Sequence, residues 1–118
     1  MKSILVIEDS EQSLNYMEMI LKKDVKMKVD TASTAEVALY KLKVNKYDYI
    51  LCDIELPKMT GPEILLESET HNAKIYFCTA LDNVEEKIAA CNNGSLNVVG
   101  WKKKPVFKKD LMEIFKDG

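Results

Sequence analysis

The chain contains no arginine. All 17 basic residues are lysine, and against 19 acidic residues they leave a net charge of −2. Arginine's planar fork is the usual reader of guanine edges and of phosphate. A protein that coats nucleic acid also needs surplus positive charge. Neither is present, so no direct nucleic-acid binding is expected of this domain. Cysteine is scarce. Cys52, Cys78 and Cys91 make an odd number without CxxC spacing, which fits neither a disulfide framework nor a zinc site. Two of them lie inside apolar runs and read as small core residues in a reducing compartment. Long apolar runs are missing too. No stretch approaches the ~20 residues that cross a membrane as a helix, and Ile4–Ile7 after Lys2 is too short for a signal peptide. A cytoplasmic protein that does not engage the membrane is expected. No linker, repeat or low-complexity segment interrupts the chain.

What is present is the material of one domain. The 118 residues are 47% hydrophobic and 31% charged, which excludes bulk disorder and suffices for a core without disulfides or metal staples. Short apolar runs alternate with helix-period segments. Ile4–Ile7 predicts a first strand, and Ser10 can cap a helix whose inner face is Leu14, Met17, Ile20 and Leu21. Met27, Val29 and Thr31 alternate with Lys28 and Asp30, as in a half-exposed edge strand. Ser33-Thr34-Ala35-Glu36 reads as a capping box, with Ala35, Ala38, Leu39 and Leu42 following at helical spacing. Tyr49–Cys52 is a third strand, and Gly61-Pro62 opens a short helix carrying Ile64, Leu65 and Leu66. Ile75–Cys78 is a fourth strand. Asp82-Asn83-Val84-Glu85 is a further capping box, whose helix stops at Asn92-Asn93-Gly94. Val98–Trp101 is a fifth strand, and the last helix presents Phe107, Leu111, Ile114 and Phe115 on one face. Repeated β-then-α units predict an α/β fold with a five-stranded parallel sheet and helices on both faces. The most continuously apolar strands are the first, third and fourth, which suits the flavodoxin-like, doubly wound order 2-1-3-4-5.

In such a sheet, ligands bind beyond the carboxyl ends of the strands, near the switch point between strands 1 and 3. Strand 1 ends in Glu8-Asp9, strand 3 in Asp53 with Glu55 two residues on, and strand 4 in Thr79-Ala80. Strand 5 runs into Lys102-Lys103-Lys104-Pro105. Carboxylates gathered on one rim resist joint ionisation. A hard divalent cation relieves that repulsion, and magnesium takes few protein oxygens and keeps waters. An ionised aspartate beside it can attack phosphorus and form an acyl phosphate. A lysine and a hydroxyl then stabilise the phosphoryl oxygens.

Over essentially its whole length the sequence resembles the receiver domain of two-component response regulators, of the chemotaxis-regulator type. The resemblance is carried by Glu8-Asp9, by Asp53-Ile54-Glu55-Leu56-Pro57-Lys58-Met59-Thr60-Gly61, by Thr79-Ala80 and by Lys104-Pro105, in order and at the ends of predicted strands. It implies a single receiver domain over residues 1–118, with no output domain in this chain. It implies that Asp53 is the phosphoacceptor, charged by a histidine kinase or phosphotransfer protein. Asp9, Asp53 and the backbone carbonyl of Glu55 would bind magnesium (Mg2+), with Glu8 contributing through water. Lys104 would pair with Asp53 and then with the phosphoryl group, and Lys104-Pro105 would be a cis peptide. Thr79 and the aromatic Trp101 would be the switch residues, moving together on phosphorylation. A downstream protein would bind the face made by the fourth helix, fifth strand and fifth helix. Leu81, two residues after Thr79, cannot position an attacking water, so slow self-dephosphorylation is expected.

Blander readings stand beside these. Glu8-Asp9 alone could be a solvated strand end, Asp53 a turn cap, Thr79 a strand terminus and Trp101 edge-strand packing. His71 reads as a surface residue, and Tyr47 and Tyr49 need no special role. The expected protein is a switch rather than an enzyme with turnover. A magnesium-dependent phosphohydrolase using Asp53 as nucleophile remains an alternative, as does a phosphate-independent binding module. The spacing between Asn93-Gly94 and Trp101 is a few residues long for the family. Charge is unevenly spread: residues 1–100 hold 11 lysines and 16 acidic residues, whereas residues 101–118 hold six lysines and three acidic ones.

Overall fold

The computed structural model describes residues 1–80 and 96–115. The strands β1 (Ser3–Ile7), β2 (Lys28–Ala32), β3 (Tyr49–Asp53), β4 (Lys74–Thr79) and β5 (Val98–Lys103) form one sheet in the order β2-β1-β3-β4-β5. Every pairing is parallel, so the expected doubly wound order is the observed one. Among the described residues the helices are α1 (Glu11–Lys23), α2 (Ala35–Val44), α3 (Gly61–Leu66) and α4 (Lys108–Phe115). The helix expected from Asp82 to Asn92-Asn93-Gly94, together with Leu81 and Cys91, lies outside the described residues.

The two-residue period of the strands divides the core into two layers. Leu5, Ile7, Ile50, Cys52, Ile75 and Phe77 pack against Ala38 and Leu42 of α2 and Ile64 and Leu65 of α3. Ile4, Val6, Leu51 and Cys78 pack against Leu14, Met17, Ile20 and Leu21 of α1 and Leu111 and Phe115 of α4. Burial on both faces is the reason β1 and β3 read as unbroken apolar runs. Phe115 fastens α4 to the sheet through edge-on contacts, its ring centroid 5.2 Å from Tyr49 and 5.4 Å from Tyr76.

Several local expectations are corrected. The cap of α2 is Thr34, not Ser33: its Oγ1 accepts from the Val37 amide at 3.2 Å. With the cap one residue later, the Glu36 carboxylate turns instead to Lys58, 3.1 Å away. The reciprocal capping box opens α3, where Glu63 N–H donates to Thr60 Oγ1 (3.2 Å) and Thr60 N–H donates to Glu63 Oε1 (2.9 Å). Phe107 does not join the inner face of the last helix. It precedes α4, is 53% exposed, and its amide donates to the Asp110 carboxylate at 2.8 Å. Tyr47 does have a task. Its hydroxyl donates to Asp30 Oδ2 at 2.7 Å, and Lys41 Nζ donates to Asp30 Oδ1 and to the Thr31 carbonyl, each at 2.6 Å. Burial works to raise the Asp30 carboxyl, but the Lys41 and Tyr47 bonds outweigh it and hold it below its ordinary value.

Strand β5 reaches two residues beyond the expected Val98–Trp101. Its pairing steps from Ile75↔Val98 to Tyr76↔Gly100, so Val99 is the extra residue of a bulge. The bulge reverses the strand's parity. Val98 and Trp101, three residues apart, therefore pack against the same core layer.

Candidate functional site

Four strand ends meet on one rim because neighbouring strands finish at one level. Asp53 pairs with Cys78 and Thr79 with Lys103. Backbone bonds extend the ladder past the strands: Glu8 N–H to the Ala32 carbonyl (3.0 Å), Ile54 N–H to Cys78 (2.9 Å) and Lys104 N–H to Thr79 (2.7 Å). The loop after β3 folds tightly onto its own strand, with Gly61 N–H donating to the Ile54 carbonyl at 2.8 Å. A methyl group at Gly61 would overlap the Asp53 carbonyl oxygen, so only glycine fits beneath the candidate acceptor.

Of the three consecutive lysines, Lys104 is the one at the acidic centre. Its Nζ donates to Asp53 Oδ2 at 2.7 Å and to Glu8 Oε1 and Oε2 at 2.9 and 3.1 Å. Asp53 is 3% and Glu8 2% exposed. Burial, reinforced by the adjacent Asp53 carboxylate, pushes the Glu8 carboxyl up to about 7, against the opposing pull of Lys104. Burial acts to lower the Lys104 ammonium, but its bonds to Asp53 and Glu8 prevail and raise it. The Lys104-Pro105 peptide is cis. A cleft of about 400 Å3 opens onto Glu8 and Lys104, walled by Tyr16, Met17, Val106 and Phe107. The partial exposure of Phe107 belongs to that wall.

One carboxylate oxygen from each of Glu8, Asp9 and Asp53 lies within 4.8 Å of the others, Asp9 being exposed and the other two buried. An all-oxygen set of this size suits a hard divalent cation such as magnesium. Glu8 has both oxygens on Lys104, so its oxygens serve the ammonium first, an ion pair the sequence did not suggest. Asp53 Oδ1 accepts the Glu55 amide at 3.2 Å.

The sequence marks Glu55 for its carbonyl and as a flanking position two residues after the acceptor, but not for the bonds that its side chain makes. Thr79 Oγ1 donates to Glu55 Oε2 at 2.7 Å, and Ala80 N–H donates to Oε1 at 3.3 Å. The available signal was a charged side chain two residues after the acceptor, on the rim where Thr79 also ends. Trp101 is half-buried, stands opposite Phe77 in the ladder, and packs against the α2–α3 core layer. Cys52 and Cys78 are buried and free. Burial raises both thiols, that of Cys78 to about 12, so neither supplies a thiolate nucleophile.

No helix among the described residues is long and apolar enough to cross a membrane. The fold is that of solved receiver domains. A CheY-like response regulator receiver domain from Methanospirillum hungatei superposes with a TM-score of 0.84 at 28% identity, covering 99% of this chain and 92% of that one. The chemotaxis response regulator CheY4 of Vibrio cholerae gives a TM-score of 0.84 at 24% identity, covering 99% and 98%. Among curated proteins, the transcriptional regulatory protein YvrH of Bacillus subtilis is 31% identical over 74% of this chain and 37% of its own length. The aerobic respiration control sensor protein ArcB of Escherichia coli is 38% identical over 55% of this chain and 8% of its own length. The chain thus spans well under half of the curated relatives it matches. The response regulator receiver domain model matches residues 4–116, nearly the whole chain and every strand end just described, and the chain belongs to the receiver domain family of two-component response regulators.

Proposed function

We propose that the domain is a phosphorylation-dependent signalling switch in a two-component phosphorelay and that Asp53 is its phosphoacceptor. Lys104 carries this assignment: its ammonium stands 2.7 Å from a buried Asp53 carboxylate on a rim shared with Glu8 and Asp9. The phosphodonor is the phosphohistidine of a histidine kinase or phosphotransfer protein. An Asp53 oxygen bonds to phosphorus as the phosphorus–nitrogen bond breaks, and the imidazole departs with the electron pair. Asp9, Asp53 and the Glu55 carbonyl would hold magnesium, with Glu8 through water, and the ion would supply positive charge for the phosphoryl oxygens. Lys104 sets a fixed ammonium against the charge that gathers on those oxygens. Thr79 then moves toward the phosphoryl group, Trp101 follows inward, and the population shifts to a second packing. The surface of β5, α4 and the helix that precedes β5 in the family changes with it and binds a downstream protein.

The domain on this reading catalyses only its own phosphorylation and dephosphorylation. Incubation with magnesium and acetyl phosphate, followed by intact mass, tests it. The native chain gains one phosphoryl group, Asp53→Asn gains none, and p-nitrophenyl phosphate is not turned over. No gain by the native chain, or an undiminished gain by Asp53→Asn, overturns it.

A further inference from the structure

The Glu55 carboxylate holds two donors that a phosphoryl group on Asp53 could use. A carboxylate only accepts hydrogen bonds, and a threonine hydroxyl has one proton to donate. The 2.7 Å bond from Thr79 Oγ1 to Glu55 Oε2 therefore uses that proton, and the Ala80 amide is turned to the other oxygen at 3.3 Å. Glu55 is held at the spot from its backbone, since its own amide donates to Asp53 Oδ1 at 3.2 Å. Two donors at the end of β4 thus already grip an anion, and the anion is carried by the loop that follows Asp53. A phosphoryl group on Asp53 would bring further anionic oxygens to the same rim, and Thr79 could not donate to both.

We infer that the Glu55 carboxylate is a built-in competitor of the phosphoryl group. It holds Thr79 and the Ala80 amide in the unphosphorylated arrangement and must be displaced before they can serve a phosphoryl group. Glu55 is a positioning residue, acting through Thr79 rather than on the reacting atoms. This inference rests on Asp53 being the phosphoacceptor.

The test uses the full chain with magnesium and beryllofluoride, a phosphoryl mimic, and compares Glu55→Asp with Glu55→Gln. Glu55→Asp keeps the charge but is one methylene too short to reach Thr79. Its affinity for beryllofluoride rises roughly threefold to tenfold, the effect of losing one partly exposed charge-assisted hydrogen bond. The Ala80 amide proton, followed by NMR without any phosphodonor, moves upfield in the same variant. The gain shrinks when Thr79→Ala is added, because the hydroxyl is no longer contested. A gain in Glu55→Gln without one in Glu55→Asp assigns the effect to charge repulsion alone and overturns the inference. An unmoved Ala80 amide overturns it as well. Beryllofluoride binding by the native chain with no gain in Glu55→Asp overturns the competitor and leaves the phosphoacceptor standing; no binding by any of these proteins overturns both.

Discussion

Lys104→Met removes the ammonium and keeps most of the stem. In the native chain that ammonium stands 2.7 Å from Asp53 and 2.9 Å from the nearer Glu8 oxygen, with both carboxylates buried. Without it, two buried carboxylates with oxygens within 4.8 Å face each other uncompensated. At an effective dielectric near 20, two like charges about 5 Å apart repel by about 3 kcal/mol. Proton uptake limits the cost, because Glu8 already titrates near 7 in the native fold: its proton costs about half a kcal/mol at pH 7 and about 1 kcal/mol more at pH 8. The lost Lys104–Asp53 bond adds to this, and water recovers part of it because the Lys104 side chain is 27% exposed. The expected loss is about 1 kcal/mol at pH 7 and about 2 kcal/mol at pH 8, a fall in Tm of roughly 3–6 °C at pH 7 for a domain of this size. The sign of the pH dependence follows from the raised carboxyl. A group whose folded pKa lies above its unfolded one stabilises the fold fully below the unfolded value, and that stability is lost as pH rises through the folded value. The native chain loses this stability progressively from about pH 4.5 up to about 7, where Glu8 titrates. In Lys104→Met it is larger and extends to higher pH, since the lysine's downward pull on Glu8 is gone. Urea unfolding of both proteins in chelator at pH 5.5, 7 and 8 measures the gap. It is narrow at pH 5.5 and widest at pH 8; a gap independent of pH, or none at pH 8, refutes the charge-balanced triad.

Two further outcomes are expected. Gly61→Ala places a methyl group on the Asp53 carbonyl oxygen, and backbone cannot yield as a flexible side chain does; a loss of about 1–3 kcal/mol in urea unfolding is expected, with slower labelling of Asp53 by acetyl phosphate. Unchanged stability would show that the loop does not sit on the strand as described. Asp30→Asn tests the lock between β2, α2 and the segment before β3. The Asp30 carboxyl is held below its ordinary 3.8, so its stabilisation is present above that value and lost as pH falls through the depressed one. With both partners partly exposed, the native chain should exceed Asp30→Asn by no more than about 1 kcal/mol at neutral pH. That difference should close only in acid below pH 4; a gap that closes near neutrality assigns the effect to another group.

The sheet was legible because burial on both faces leaves a mark that period alone can read. Ile4–Ile7, Tyr49–Cys52 and Ile75–Cys78 are unbroken apolar runs, and each lies within an observed strand, β1, β3 and β4 respectively. The bulge at Val99 was not legible. Nothing in Val98-Val99-Gly100-Trp101 says which residue drops out of the ladder, although the long spacing before Trp101 gave notice of an irregularity. Adjacent hydroxyl residues explain the one-residue error at Thr34: Ser33 and Thr34 can each cap, and tertiary placement decides. The candidate site was legible as a set of strand ends and not as a set of bonds. Acidic residues after β1 and β3 announce a common rim, but periodicity carries no information on which oxygen faces which donor. For that reason the Glu8–Lys104 pair and the Glu55–Thr79 bond emerge only from the folded structure.

The missing arginine bears on the site itself. Lys104 meets three oxygens that converge on one point, two from Glu8 and one from Asp53, at 2.7–3.1 Å. An ammonium has three donors around a single nitrogen and can turn one toward each. A guanidinium spreads five donors over a plane and favours two parallel bonds to one carboxylate. Placed here it would grip Glu8 or Asp53 and leave the other buried and unmatched, at the cost attached to an unpaired internal charge. The ammonium's point symmetry also leaves it able to turn toward a new oxygen on Asp53 without leaving its place on the rim. A chain without arginine is thus at no disadvantage at this rim, because convergent carboxylates call for a compact cation.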